Sequence, residues 1–444
     1  MTIFALFMFM MMILVGGIAV DLMRNEMDRT KRQNTLDRAV LAAADLDQTL
    51  EPADVVKDYF LKSGFDDAVT SLSIDEGLNY RTVSATSNTT TPTQFMRLMG
   101  KDTLPVFTAG TATEEVPNIE ISMVLDISGS MRYSDRMTEL RPAARNFIDT
   151  LLEDDLADYT SINLIPYAGQ TNPGPFMFNR LGGTRYASVP LDEEDGGTED
   201  DLYPNVSSCL ELGAADFTHA GLPSLGAYAQ TAHFMNWTIA ASVMEWGWCP
   251  QDDTAIQYAS NNATALKQFI TDMPMHDGTG TAYAMKYALA LLDPTSQADF
   301  AAMSTAGLVP EEFSNRPAGW KDPDTAKYIV LMTDGQITEQ KRPTDITHEE
   351  NPTVELQHRP SGDKTQITSA SQNVTRFYSI CDLAKSSERN VEIYTIAFEA
   401  PAAAKTQMRN CASSPSHYYD VEGSEIDEVF QAIARQVRQL RLVN

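Results

Sequence analysis

Histidine and cysteine are scarce in this chain, at six and four of 444 residues. The histidines, His233 and His276 among them, are scattered, and no H-E-x-x-H pair occurs. The cysteines, Cys209, Cys249, Cys381 and Cys411, form no C-x-x-C, which leaves a zinc cluster or a thioredoxin-like motif without support. G-x-S-x-G, P-loop and G-x-G-x-x-G fingerprints are absent too. The sequence therefore offers no activated nucleophile and no phosphate cradle, and it reads as a binding protein rather than an enzyme, with no catalytic residue assigned. Basic residues are few: 33 Lys and Arg stand against 61 Asp and Glu, a formal net charge of −28. Nucleic acid phosphates repel such a chain, which excludes nucleic acid as a partner.

What is present centres on Asn118 to Met131, NIEISMVLDISGSM. Ile119, Ile121, Met123 and Leu125 alternate with Glu120, Ser122 and Val124, the period of a strand, and the pattern stops at Asp126. In the D-x-S-x-S that follows, the carboxylate of Asp126 and the hydroxyls of Ser128 and Ser130 can converge if Gly129 lets the loop fold back. Hard divalent cations prefer all-oxygen sites. Further oxygens stand downstream: the apolar run KYIVLMT, Lys327 to Thr333, ends on Asp334-Gly335, and the Gly-rich loop from His276 to Thr281 opens a helical pattern, offering Thr279 or Thr281. The plainer alternative is that the serines cap the following helix and the aspartates only end strands.

The length suits two domains, or one large domain with insertions. Ile3 to Val20 is an uncharged apolar run long enough to span a membrane, with no basic start and no A-x-A cleavage site, so a retained anchor over 1–20 is expected rather than a signal peptide. Residues 21–49 read as an extended juxtamembrane helix with mixed charge and an apolar stripe of Leu36, Val40, Leu41 and Ala44, a solvated stalk being favoured over a helix that packs laterally with other subunits. Residues 50–115 suggest a small α+β region with no chemical constellation. From 116 to 444 strand and helix patterns alternate, which implies an α/β fold with a mostly parallel, doubly wound sheet. In such a sheet ligands sit at the carboxyl ends of strands, where Asp126 and Asp334 fall.

A long stretch at about 168–254 is too large for a loop and reads as an insertion with its own fold. It holds Cys209, Cys249, Trp237, Trp246 and Trp248, more in keeping with a small stapled core than with a binding surface, and the acidic run Leu191 to Asp201, read as a solvated loop. A helix is expected around Ala255 to Ile270. Outside the cytoplasm the even cysteine count permits two disulfides; Cys209 with Cys249 and Cys381 with Cys411 is the local solution among three possible connectivities.

The D-x-S-x-S turn, the following Thr and the strand-terminal Asp-Gly resemble the metal-ion-dependent adhesion site of von Willebrand factor A domains. The run Thr279 to Pro294, TGTAYAMKYALALLDP, is similar in length and register to A domains of tight-adherence (Tad, or Flp) pilus-assembly proteins, a register that makes Thr279 the ligand. The N-terminal VDLMRNEMDRTKRQNTLDRAVLAAA and the C-terminal NCASSPSHYYDVEGSEIDEVFQAIARQVRQLRL resemble the two ends of TadG-like members of that family. The resemblance implies that Ser128, Ser130 and Thr279 ligate a cation directly and Asp126 and Asp334 largely through water. Mg²⁺ would be the usual ion, with Mn²⁺ or Ca²⁺ as substitutes, and an Asp or Glu of a protein partner would complete the octahedron. It implies a single-pass bacterial inner-membrane protein, most of it periplasmic, working with other Tad pilus components; a surface adhesin using the same site on a host or matrix ligand is the alternative.

Overall fold

The computed structural model describes residues 2–439 except 46–47, 49, 66–68, 77–79, 116–117, 187–205, 238–246, 349, 352–353 and 390. The chain divides into two compact units, Met1–Val116 and Pro117–Asn444.

In the first unit the apolar run and the charged stretch after it form one helix, α1 (Thr2–Ala44). A shorter α2 (Pro52–Lys62) starts on a proline at its first turn, where the missing N–H costs nothing. Three antiparallel strands follow, β1 (Val69–Glu76), β2 (Tyr80–Pro92) and β3 (Thr103–Glu115), in the order β1-β2-β3. Ser87 to Pro92, rich in Ser, Asn and Thr, extends β2, whose threonines and serines pair across to β3, as Thr82 with Thr113 at 2.9 Å. The juxtamembrane part of α1 is not a bare stalk. Leu36, Ala39, Val40, Ala43 and Ala44 bury against α2 and the hairpin, while Leu41 faces outward.

The second unit runs, in chain order, β4 (Asn118–Asp126), α3 (Arg136–Leu151), β5 (Thr160–Tyr167), α4 (Gly174–Arg180), the two-residue β6 (Gly183–Thr184) and β7 (Tyr228–Ala229), β8 (Gln257–Ser260), α5 (Ala263–Asp272), α6 (Thr281–Ala290), α7 (Gln297–Thr305) and β9 (Thr325–Thr333). It continues with β10 (Gln340–Pro343), β11 (Lys364–Thr368), α8 (Ala370–Lys385), β12 (Glu392–Phe398), α9 (Ala402–Cys411), β13 (Tyr418–Val421) and α10 (Glu425–Gln439). Six strands form one sheet in the order β13-β12-β9-β4-β5-β8, parallel except that β8 runs against β5. Helices cover both faces. Ile119, Ile121, Met123 and Leu125 of β4 pack with Phe147, Ile148, Ile270 and Phe430 from α3, α5 and α10. Val124 faces the other way, into a core with Ala284, Tyr287, Phe377 and Met408 from α6, α8 and α9.

Two further expectations are corrected. The stretch from Ala255 to Ile270 is a strand and then a helix, because Ala259 takes a left-handed backbone and the Asn262 side chain caps α5 by accepting the Ala265 N–H at 3.0 Å. The 168–254 insertion is not a separate body: Met177, Phe178, Leu210, Leu212 and Phe217 join the core beneath α6 and α8. Among the described residues, Trp248, stacked on Phe234 with centroids 5.6 Å apart, makes a small cluster apart from that core with Ala232 and Leu356. The acidic run Leu191–Asp201 and Trp246 lie outside the described residues.

Both disulfides are local, Cys209–Cys249 and Cys381–Cys411. The second ties α8 to α9 across a sequence separation of 30. Closing a loop of that length restricts the unfolded chain, so Cys381→Ala/Cys411→Ala should lower stability by about 2–3 kcal/mol, read as a lower denaturation midpoint under oxidising conditions.

Candidate metal centre

The strand order fixes where a site can form. From β4 the chain steps to β5 on one side and later to β9 and β12 on the other, so the order reverses between β4 and β9. Asp126 ends β4, and Asp334 follows the last residue of β9. Asp126 is wholly buried and held from several sides: its Oδ1 accepts the Ser128 N–H at 2.9 Å, and its Oδ2 accepts the hydroxyls of Thr333 at 2.6 Å and Tyr167 at 3.1 Å. The turn then brings the Ser128 and Ser130 hydroxyls to 3.0 Å, and Ser130 donates to Asp334 Oδ1 at 2.7 Å.

Thr279 reaches the same point from the Gly-rich loop. A methyl placed on Gly335 would lie 3.3 Å from its Oγ1 and 3.5 Å from Ser130 Oγ, so the two hydroxyls flank one spot beside the Gly335 backbone. Thr281 sits behind, with Oγ1 3.4 Å from the Tyr167 hydroxyl that in turn meets Asp126. The loop's glycines answer to contact: a Cβ on Gly280 would meet the Gly169 carbonyl at 2.2 Å, and Gly278 holds φ +82° against the Trp248 ring. The first residues of the insertion clamp the loop, the Gly169 N–H donating to the Asp277 carbonyl at 2.7 Å and the Gly280 N–H to the Ala168 carbonyl at 2.6 Å.

Burial, and then the like charge of Asp334, push the Asp126 carboxyl up to about 7. Burial also raises Asp334, against the pull of Ser130 and Arg136. Arg136, the first residue of α3, donates to Asp334 Oδ2 at 2.6 Å and to Glu399 Oε2 at 3.0 Å. Two buried carboxylates beside three hydroxyls form a hard, anionic, oxygen-only donor set, and it suits a small divalent cation. Among the described residues no group of three or more His, Cys, Asp or Glu side chains could hold a metal, so any centre depends on the hydroxyls.

The hydroxyls open into a cleft of about 540 Å³ whose far wall comes from Trp237 of the insertion and from Glu355, Gln357 and His358 of the polar segment before β11. Asp277 lines it as well. Its Oδ2 accepts the N–H groups of Asn236 at 2.5 Å and Trp237 at 2.9 Å, and burial pushes its carboxyl up to about 7.

Residues 1–46 match the family model described as putative Flp pilus-assembly TadE/G-like. The chain carries a TadE/G-like segment at its N-terminus. No curated protein matches the sequence. Among solved structures the chain is similar to the vWF domain of the type V pili tip protein Mfa5 from Porphyromonas gingivalis, at 12% identity and TM-score 0.39, over 74% of this chain and 98% of that one. It is similar also to the pilus adhesin SpaC from Lactobacillus rhamnosus GG, at 12% identity and TM-score 0.34, over 84% of this chain and 34% of that one. A third is proximal thread matrix protein 1 from the mussel byssus, in a form with a zinc-occupied MIDAS motif, at 11% identity and TM-score 0.31, over 73% and 46% of the two chains. The TadE/G-like segment coincides with α1, which holds an 18-residue window of mean hydropathy 2.7 and is a candidate membrane anchor.

Sequence reading placed Asp126, Ser128, Ser130, Thr279 and Asp334 in one site, and the fold brings all five together. It passed over Arg136, Tyr167 and Thr333. Thr333 carried a signal, as a hydroxyl directly before Asp334 at a strand end. Trp237 and Asp277 had none beyond their neighbourhood, since the wall they form depends on the insertion folding back.

Proposed function

We propose that this chain is a membrane-anchored, extracytoplasmic component of a Tad pilus system, and that residues 117–444 are a doubly wound von Willebrand factor A domain gripping a protein partner through a divalent cation. Ser128, Ser130 and Thr279 would hold the ion, with Asp126 and Asp334 behind them. The observation that carries this reading is the meeting of these oxygen side chains, from separate loops, at the point where strand order reverses. A bound Mg²⁺, or Mn²⁺ or Ca²⁺, would supply a Lewis acid able to accept an Asp or Glu carboxylate.

The chain's own residues do the rest. Tyr167 and Thr333 fix the Asp126 carboxylate, so that its Oδ1 stays beside the turn. Gly335 brings its backbone beside the spot that Thr279 and Ser130 flank. Trp237 and the 355–358 segment line the approach and leave room for a side chain rather than a flat surface. Periplasmic placement and work beside other pilus components follow from the TadE/G-like segment and belong to this proposal.

The deciding experiment is calorimetric titration of Mg²⁺ and Mn²⁺ into the detergent-solubilised full chain. Wild type should bind one ion per chain, and Ser128→Ala/Ser130→Ala should weaken binding at least about tenfold while leaving the circular dichroism spectrum unchanged. Equal binding by both proteins would remove the cation from these loops and return the motif to a structural turn.

A further inference from the structure

We infer that the tip of the β2–β3 hairpin, residues 93–102, is a second membrane contact, with Leu98 and Met99 seated among lipid at the level where α1 leaves the bilayer. The inference rests on the proposed reading of residues 1–20 as a membrane anchor, and everything else comes from the register of the hairpin along α1.

The hairpin runs down α1 toward its apolar end. Gln33 donates to the Ala109 carbonyl at 2.9 Å, Asp28 accepts the Thr91 hydroxyl at 2.9 Å, and Asn25 approaches the Pro105 carbonyl at 3.4 Å. Lower still, the buried Asp21 carboxylate accepts the backbone N–H groups of Gln94, Phe95 and Met96 at 2.9, 2.8 and 2.8 Å. One helical turn further in, the Phe95 ring fills the space above Gly17, where a Cβ would lie 2.4 Å from the ring. Asp21 thus holds the tip while Gly17 admits it. The apolar run Ile3–Val20 spans about 27 Å at 1.5 Å per residue, close to the hydrocarbon thickness, so Gly17 lies about 6 Å inside the level of Asp21. A segment docked on Gly17 is at the acyl–headgroup boundary.

The tip's surface suits that depth. Leu98 and Met99 are 81% and 58% exposed, at the point of the hairpin beyond its last paired residues, Pro92 and Thr103. Arg97 and Lys101, both exposed, flank them, as basic residues flank apolar ones in interfacial segments. In water this placement of two large apolar residues is unfavourable. At the interface it holds the start of the extracytoplasmic unit to the bilayer at a second point and restrains the angle at which α1 emerges.

The test uses full-length protein reconstituted into phosphatidylethanolamine–phosphatidylglycerol vesicles. All four native cysteines are in disulfides, so a single introduced thiol can carry an environment-sensitive nitrobenzoxadiazole label. Three proteins are compared: Leu98→Cys at the tip, Ile13→Cys within α1, and Thr113→Cys at the far end of β3. Lipid spin-labelled near the headgroup should quench the Leu98→Cys label at least about threefold more than the Thr113→Cys label, with a blue-shifted emission, and lipid spin-labelled deep in the acyl chain is the quencher read at Ile13→Cys, which lies about 12 Å inside the level of Asp21. Quenching at Ile13→Cys with Leu98→Cys behaving like Thr113→Cys would overturn the inference and leave the anchor standing. No quenching at Ile13→Cys would overturn the anchor and the inference with it.

Discussion

Replacing Glu120 with leucine is expected to lower the stability of residues 117–444 by about 3–5 kcal/mol. Glu120 and Lys327 face each other in register on β4 and β9, both buried, at 2.5 Å. The glutamate also accepts the Ala318 N–H at 2.8 Å, and the lysine donates to the Leu292 carbonyl at 2.9 Å. With Glu120→Leu the ammonium stays buried beside a carbonyl and the Trp320 ring, 5.2 Å away, and the more distant charge of Asp293, opposed by that of Arg316, is all the ionic support left among the described residues to offset its lost hydration. The loss is the cost of an orphaned charge and not the net worth of the pair. Glu120→Leu/Lys327→Met, which removes both charges, should therefore recover most of it. All four tryptophans lie in the second unit, so denaturation followed by tryptophan emission reports this unit alone. A loss below about 1 kcal/mol for Glu120→Leu would mean that water reaches the pair, and the sheet face would then be less closed than the packing of α6 indicates.

Glu120 also marks the limit of what the sequence discloses. Alternation in β4 identifies a buried strand and its two sides, but a sheet covered on both faces leaves its polar residues in need of partners. Those partners come from elsewhere in the chain: Lys327 for Glu120, and the Ala288 carbonyl, at 2.8 Å, for Ser122. The D-x-S-x-S turn was legible because its donors sit within five residues, and Asp334 because an apolar run ends on it. Arg136 was not, since its acceptors Asp334 and Glu399 lie 198 and 263 positions away and nothing local distinguishes it from any arginine opening a helix. In the first unit the stripe Leu36, Val40, Ala44 was visible, yet its cover was not: Val56 and Phe60 of α2 and Val83, Ala85 and Ala112 of the hairpin come from farther along the chain, and a modest stripe on a charged helix reads as solvated without them. The segment from Ala255 to Ile270 misled for a similar reason, as a single capping asparagine divides a pattern apolar enough for one helix.

Arg136→Met is expected to act in opposite directions on stability and on cation affinity. Without a cation the guanidinium is the positive group in contact with Asp334, whose side chain is fully buried, and it bridges to Glu399, which is largely covered. Removing it leaves like charges facing each other across the ends of β4 and β9, with a stability loss of about 3–5 kcal/mol in chelator-treated protein. If the cation sits among Ser128, Ser130, Thr279 and the two aspartates, the same guanidinium repels it. Its loss should then tighten Mg²⁺ binding on the order of tenfold, since two charges a few ångströms apart at a partly buried site interact by a few kcal/mol. Thermal melts with and without Mg²⁺ should therefore show a larger metal-induced rise in Tm for Arg136→Met than for wild type, while Asp334→Asn, which keeps the shape and removes the charge, should show a smaller one. Tighter binding in the first and weaker binding in the second would place the ion between these side chains by its charge alone, independently of the hydroxyl deletions. A variant whose affinity does not change when Arg136 is lost would mean that the ion is far from Asp334, and the arginine would then be a strut that ties α3 to the sheet.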